Sequence, residues 1–436
     1  MPLWIVALVT PVILIVVLAS GLPVAFALSL VATIMILAVW GTEALPLLAT
    51  VSYASVTSFI LIAVPLFLLI GENLIKSGIT DKVFDGMEKW LGRVPGGLPI
   101  STLSSATVFA AICGFAPATC TILGEMALPE MLKRGYNKGL SCGCIAGGAT
   151  LTILIPPSSL MVILGYLAEV SVAELFAAGL PIGIMIALMY MGYTFVRCLL
   201  QPGERPTVTQ RPTWKERAGA LKYSLPVGAI IFSILGTIFF GFASPTEAAA
   251  LGFWATLLVV ALYGQFKLSK FVSTLSMTAQ YTAMLFMIVI GASLFSRAVA
   301  YAGITQWVVS WIASLEVSPW WVLIGMQLLV LVMGCFMDSA SIVFLTIPFF
   351  MPIVGALQFD PLWFAVIMMI NLELGTTTPP FGLNLFVLKA VAPPEVSMGD
   401  IWRGTLPFVF IDLFFMALVM AFPQIALWLP NLIRQS

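Results

Sequence analysis

Residues 149–160 read ATLTILIPPSSL and residues 374–386 read LGTTTPPFGLNLF. Each stretch sets a proline pair, Pro156-Pro157 and Pro379-Pro380, inside an otherwise apolar run. Paired prolines remove two backbone donors and bar the preceding residue from the helical region, so the helix must stop or turn there. In hydrocarbon a freed backbone is tolerated only where protein buries it or where it lines a cavity. Two broken segments in matching places are the pattern that marks an ion or solute site inside a helical membrane protein.

The rest of the chain supports a bilayer setting. Hydrophobic residues make up 61% and charged residues 9%, against roughly a quarter charged in a soluble domain. The apolar runs are long and lack strand alternation, which predicts helices and excludes an outer-membrane barrel. At about 20 residues per span the 436 residues accommodate on the order of eleven to fourteen segments. The first run, Leu3 to Trp40, is interrupted at Ser20-Gly21-Leu22-Pro23 and reads as one broken span or two short ones. It has neither a basic start nor a small-residue cleavage site, so no cleavable leader is expected.

Landmarks of the first half recur in the second. Pro23 pairs with Pro245, Gly71 with Gly291, Gly114 with Gly334 and Pro156 with Pro379, each about 220 residues apart. The expected organisation is a first repeat over 1–200, a linker over 201–223, and a second repeat over 224–436. The linker carries Arg205, Arg211, Lys215, Arg217 and Lys222 against Glu204 and Glu216, which places it in the cytoplasm. Lys133, Arg134 and Lys138 form a second basic loop for the same side. Positions 1–75 hold no lysine or arginine, so the rule sets no orientation there. Apolar Ile79, Val83, Met87 and Trp90, spaced among charges between Glu72 and Arg93, predict an interfacial amphipathic helix.

Chemistry concentrates at the breaks. Each half has a glycine-containing break, CGFAPAT (113–119) or GCFMDSAS (334–341), followed by a helix and then the proline-pair segment. Unwound carbonyls and hydroxyls are hard oxygen ligands suited to sodium, and half-helix N-termini suit an anion. The second half supplies Asp338, Ser339, Ser341 and Thr376, Thr377, Thr378. An acid at such a place is a functional-site candidate because holding its charge there is costly, so Asp338 is read as a cation ligand, with helix capping as its other role. The first half offers Cys113, Gly114, Phe115, Ala116 and Thr119, then Thr150, Thr152, Ser158 and Ser159, and would lean on carbonyls. Glu125, Glu169, Glu247 and Glu373 are read as helix-end or hydrogen-bonding acids. Asn384 faces either a solute or a neighbouring helix. The six cysteines read as small buried hydrophobes. The chain has no histidine, which rules out a mixed Cys/His zinc site and a histidine relay.

The runs CGFAPATCTILGEMALPEMLKRGY (113–136), IPPSS (155–159), SPTEA (244–248), MDSASIVFLTIP (337–348) and TTTPPFGLNLFVLK (376–389) resemble the large membrane subunit of tripartite ATP-independent periplasmic (TRAP) transporters over essentially the whole chain. The resemblance implies an all-α polytopic fold with two inverted repeats, two re-entrant hairpins, one near 140–168 in the first repeat and one near 361–389 in the second, and an elevator mechanism of the ion-transporter superfamily. It implies a multi-pass protein of the bacterial inner membrane that moves an organic anion, expected to be a carboxylate, with sodium ions and no organic cofactor. The implied partners are a small four-helix membrane subunit and a soluble periplasmic substrate-binding protein, with no nucleic acid. Carried over by position, one sodium site involves Cys113, Gly114 and Ala116 with Thr152, Ile155 and Pro157; the other involves Gly334, Asp338 and Ser341 with Thr376, Thr377 and Thr378. Thr119, Ser158, Ser159 and Asn384 are the expected substrate contacts. Where relatives usually carry small polar residues after the first glycine, this chain has Phe115 and Ala116, which leaves carbonyls as the ligands.

The other function classes fare worse. A carrier coupled to protons or sodium and working without a binding protein is the alternative transporter reading. An intramembrane enzyme has no serine–lysine or paired-aspartate motif at the breaks. A GxxxxGK[ST] loop for an ATP-driven pump is absent. A scaffold has no use for paired breaks that sacrifice backbone hydrogen bonds.

Overall fold

The computed structural model describes residues 3–201, 213–314 and 316–435, and among them it is helical with no strand. The first half holds ten helices: α1 Leu3–Ala19, α2 Val24–Trp40, α3 Leu45–Val56, α4 Ala63–Ser77, α5 Ile79–Leu91, α6 Gly97–Cys113, α7 Ala116–Lys133, α8 Lys138–Thr150, α9 Ser159–Ala168 and α10 Val172–Leu200. The second holds α11 Trp214–Phe239, α12 Pro245–Leu262, α13 Leu268–Tyr301, α14 Ile304–Ser314, α15 Pro319–Gly334, α16 Ser339–Ala356, α17 Pro361–Thr377, α18 Leu383–Val391, α19 Met398–Ala421 and α20 Gln424–Gln435. The series α6–α10 and α15–α19 run in the same order, helix, break, helix, helix, proline pair, short helix, long helix. Glu204, Arg205 and Arg211 lie outside the described residues, and from Trp214 onward the interval expected as a linker is already helical.

Among the described residues, seven helical segments are long and apolar enough to cross a membrane, and six shorter apolar helices accompany them. The expectation of eleven to fourteen spans assumed segments of uniform length. Instead, the apolar sequence is divided between full spans and short arms. The arms α8 (13 residues) and α9 (10 residues) reach about 20 and 15 Å, and α17 (17 residues) and α18 (9 residues) about 25 and 14 Å. All fall short of a hydrocarbon core of about 30 Å, as re-entrant arms must. The N-terminal run is two helices, parted where Pro23 ends the break. The amphipathic segment is α5, with Ile79, Val83 and Phe84 buried and Asp81, Lys82 and Asp85 exposed.

Glycine sets how closely the arms pack. A Cβ on Gly143 of α8 would lie 2.2 Å from the Gly404 carbonyl of α19, and one on Gly147 would strike the Phe408 ring. Gly139, Gly143 and Gly147 thus form a smooth ridge that brings the first hairpin's leading arm backbone-to-backbone against a helix of the second half. On the other side, a Cβ on Gly334 would meet Gly375 Cα at 2.6 Å, so α15 and α17 cross at their glycines. Asn371 Nδ2 on α17 then donates to Gln327 O and Oε1 on α15 at 2.7 and 2.8 Å, and Trp363 Nε1 donates to Val419 O on α19 at 2.7 Å.

Candidate functional site

The first break is made by backbone geometry. Gly114 takes a left-handed conformation (φ 60°) and Phe115 an extended one, after which Pro117 sits in the opening turn of α7. Gly114 faces the tip of the first hairpin: a Cβ there would lie 3.3 Å from Ser159 Oγ and 4.0 Å from Pro157 O. Residues 151–159 are all buried. Thr152 Oγ1 donates to Ala149 O at 2.8 Å and lies 3.3 Å from Thr119 Oγ1 on α7. The Ser158 and Ser159 hydroxyls are buried without a hydrogen-bond partner. Of the residues expected at the first ion site, Cys113, Gly114, Ala116, Thr152 and Pro157 therefore gather. Ile155 turns its side chain to Gly183 of α10 and has only its main chain to offer. Phe115 is 44% exposed, its ring 6.1 Å from that of Tyr281 on α13.

The second break spans the residues between α15 and Asp338, which caps α16. Asp338 Oδ2 accepts from Ser341 N at 3.0 Å and Oδ1 from Ser341 Oγ at 2.5 Å. This is the capping role the sequence offered for Asp338, filled by both carboxylate oxygens. The break reaches the second hairpin's tip through the Gly334–Gly375 crossing and through Phe336, whose ring lies 5.5 Å from that of Phe381. Past the proline pair the chain doubles back tightly enough that a Cβ on Gly382 would lie 2.5 Å from Thr376 O. Asn384 Nδ2, buried, donates to Thr376 Oγ1 at 3.3 Å. Thr376, Thr377 and Thr378 spend their hydroxyl hydrogens on carbonyls of their own helix, at Glu373 O (2.9 Å), Glu373 and Leu374 O (3.2 Å each) and Leu374 O (2.7 Å). A hydroxyl that donates backwards keeps its lone pairs for a donor or a cation. Pro380 and Phe381 are exposed, so this tip is open where the first is enclosed.

One helix joins the two tips. On α7, Thr119 meets Thr152 of the first hairpin and the neighbouring Cys120 Sγ donates to Asn384 O of the second at 3.4 Å. A further link lies deeper, where Thr150 Oγ1 sits 2.8 Å from Glu373 Oε1. Thr119, Ser158, Ser159 and Asn384, the expected substrate contacts, are all buried. Glu169 and Glu247 lie at helix ends and are exposed, and Glu125 is exposed on α7. The residue that sequence reasoning passed over is Asp412, buried on α19 and hydrogen-bonded to the Tyr190 phenol. As a lone acid inside PFVFIDLFFMALVMAF (407–422) it carried the signal that would have found it.

A helical chain with paired breaks, buried acids and hairpin arms too short to span defines a multi-pass membrane carrier. Comparison with known proteins gives the family: residues 11–425 match the model of the tripartite ATP-independent periplasmic transporter, DctM component, and the chain belongs to that family, a transporter permease of the bacterial inner membrane. It is 34% identical over 381 residues to the C4-dicarboxylate TRAP transporter large permease protein DctM of Pseudomonas aeruginosa, covering 87% of this chain and 88% of the relative. It is 33% identical to the ectoine TRAP transporter large permease protein TeaC of Halomonas elongata (85% and 86% covered), and 31% identical to the sialic acid TRAP transporter large permease protein SiaM of Vibrio cholerae (95% and 96%). The fold is similar to the YdaH transporter of Alcanivorax borkumensis, with a TM-score of 0.62 at 13% identity over 94% of this chain and 97% of that one.

Proposed function

We propose that this chain moves a small organic anion, a carboxylate, across the inner membrane with sodium, receiving it from a soluble periplasmic binding protein and working beside a small four-helix membrane subunit. The observation that carries the reading is the convergence of both hairpin tips on α7, through Thr119–Thr152 and Cys120–Asn384. Family membership supports the transport class, and relatives named for C4-dicarboxylates, ectoine and sialic acid support small polar organic solutes.

Each break paired with its hairpin tip offers sodium a set of hard oxygens. The first set is the carbonyls about Cys113–Ala116 and Ile155–Pro157 with Thr152; the second is Asp338, Ser341, the Gly334 carbonyl and Thr376–Thr378. The orphaned Ser158 and Ser159 hydroxyls and the backward-donating threonines fit that use, because their lone pairs are unspent. In this reading the repeats over 1–200 and 224–436 each give one hairpin, and the hairpins with α7 and α16 travel as one body. The helices over 1–70 and 224–300 form the static frame, anchored at the interface by Trp307, Trp311, Trp320 and Trp321. Uptake of a panel of labelled organic acids into proteoliposomes holding this chain, its membrane partner and the binding protein tests this. Wild type should take up one of them only with an inward sodium gradient and the soluble partner, and Asp338→Ala should fall to background. Uptake that ignores sodium, or that proceeds fully without the soluble partner, overturns the reading.

A further inference from the structure

Phe115, Phe336, Phe381 and Phe386 stand exposed at the two helix breaks and just past the second proline pair. They fall into two groups. The Phe115 ring lies 6.1 Å from that of Tyr281, itself exposed on α13. The Phe381 ring lies 5.5 Å from Phe336 and 6.4 Å from Phe386, the latter pair stacked within 9° of parallel. Helix register brings the two groups together. Cys120 Sγ of α7 donates to Asn384 O of α18, and four residues further along both helices a Cβ on Gly124 would lie 3.2 Å from Leu388 Cδ1. The helices therefore run side by side in the same direction, and one turn back from Cys120 and Asn384 stand Ala116 and Pro380. Phe115 and Phe381 thus flank the same end of a packed pair, and the axes of such a pair lie about 8–10 Å apart.

Three of these rings belong to unwound backbone. Phe115 lies between α6 and α7, Phe336 between α15 and α16, and Phe381 between α17 and α18. At membrane depth such backbone is tolerated where it is buried or lines a cavity, not where it meets lipid. The exposed side of these residues is therefore the cavity side. The polar groups expected to contact substrate lie just inside it: Thr119 is one turn beyond Phe115, Asn384 is three residues beyond Phe381, and both are buried. Exposed rings around a buried polar floor suit a solute with an apolar body and a polar end. A small dicarboxylate, polar at both ends, would leave the rings facing water. An acid that carries a ring covers them, through offset or edge-to-face contact.

We propose that the anion this chain carries is an aryl carboxylate, its ring held between Phe115 and the Phe336–Phe381 pair and its carboxylate directed to Thr119 and Asn384. The assignment rests on the transport reading and narrows its substrate class. Phe115 and Phe381 set the preference for a ring. Tyr281, against Phe115, and Phe386, stacked on Phe381, hold those two side chains in place.

Calorimetry of the purified full chain in sodium, titrated with benzoate, phenylacetate and succinate, reads the site without any transport. Wild type should bind one of the two aryl acids about tenfold more tightly than succinate, the discrimination that one aromatic contact supplies. Phe115→Ser and Phe381→Ala should each remove most of that preference, and Phe115→Tyr, which keeps the ring, should retain it. Both side chains are exposed, so neither truncation opens a cavity in the core. Succinate bound as tightly as the aryl acids, binding of none of the three, or a preference that both truncations leave intact overturns the assignment; the last outcome would give the rings to lipid or to a partner subunit. The two readings fail separately. Sodium-dependent uptake of a non-aromatic acid, equal in wild type and both truncations, keeps the carrier and removes the aryl site. Aryl binding that depends on the rings, without uptake, keeps the site and removes the carrier.

Discussion

Asp338 holds two tasks on one carboxyl, and they can be separated. As the cap of α16 it satisfies Ser341 N and Ser341 Oγ; as a cation ligand it would supply negative charge. Asparagine keeps an accepting oxygen and removes the charge, whereas alanine removes both. Asp338→Ala should lower stability by about 1 kcal/mol, the usual worth of such a cap, and Asp338→Asn by a few tenths. In thermal melts, added sodium should stabilise wild type and neither variant. Sodium stabilising Asp338→Asn as strongly as wild type would reduce Asp338 to a cap. This residue was legible in the sequence because an acid between apolar runs stands out. Asp412 stands out equally by that rule, yet its meaning depends on Tyr190 and Glu373, which lie far off in the chain and are brought to it only by folding.

At the scale of elements, the helix breaks were legible and the helix contacts were not. Proline pairs and Gly114 act through local dihedral limits, so their effect is written where they stand. The ridge of Gly139, Gly143 and Gly147 looks like an unremarkable small-residue stretch until α19 lies against it. The same holds for Gly375, whose partner is Gly334. Backbone-on-backbone contact leaves nothing flexible to yield, so Gly143→Ala and Gly375→Ala should each destabilise by about 1–3 kcal/mol, as overpacking does. Gly192, in mid-α10 with open space around its missing side chain, is the control. Gly192→Ala should stabilise by about 0.5–1 kcal/mol through helix propensity alone. Denaturant or thermal unfolding in detergent reads all three. Equal effects at the three positions would mean that the close crossings do not exist in the folded protein.

For the whole molecule, the shared order of helix, break and proline pair in α6–α10 and α15–α19 was legible because four landmarks recur about 220 residues apart, and the resemblance read from the ordered motifs is matched by the family the chain belongs to. What no spacing revealed is that the halves interlock. The first hairpin packs on α19, the second on α10 and α8, and α7 touches both tips. Interlocking has a thermodynamic consequence. On the proposed reading, sodium at either tip would order a contact on which the other tip also leans, so sodium and substrate should each raise the other's affinity. Linkage requires the two factors to be equal, and couplings of this kind run to about 5–150-fold. Calorimetric titration in both orders, substrate with and without sodium and sodium with and without substrate, measures the pair of factors. Thr119→Val keeps the shape of α7 but removes the oxygen that meets Thr152, and it should shrink both factors together and by the same amount. Factors that respond to Thr119→Val by different amounts would break the cycle and point to binding outside the interlocked tips. An undiminished coupling would take α7 out of the path between them.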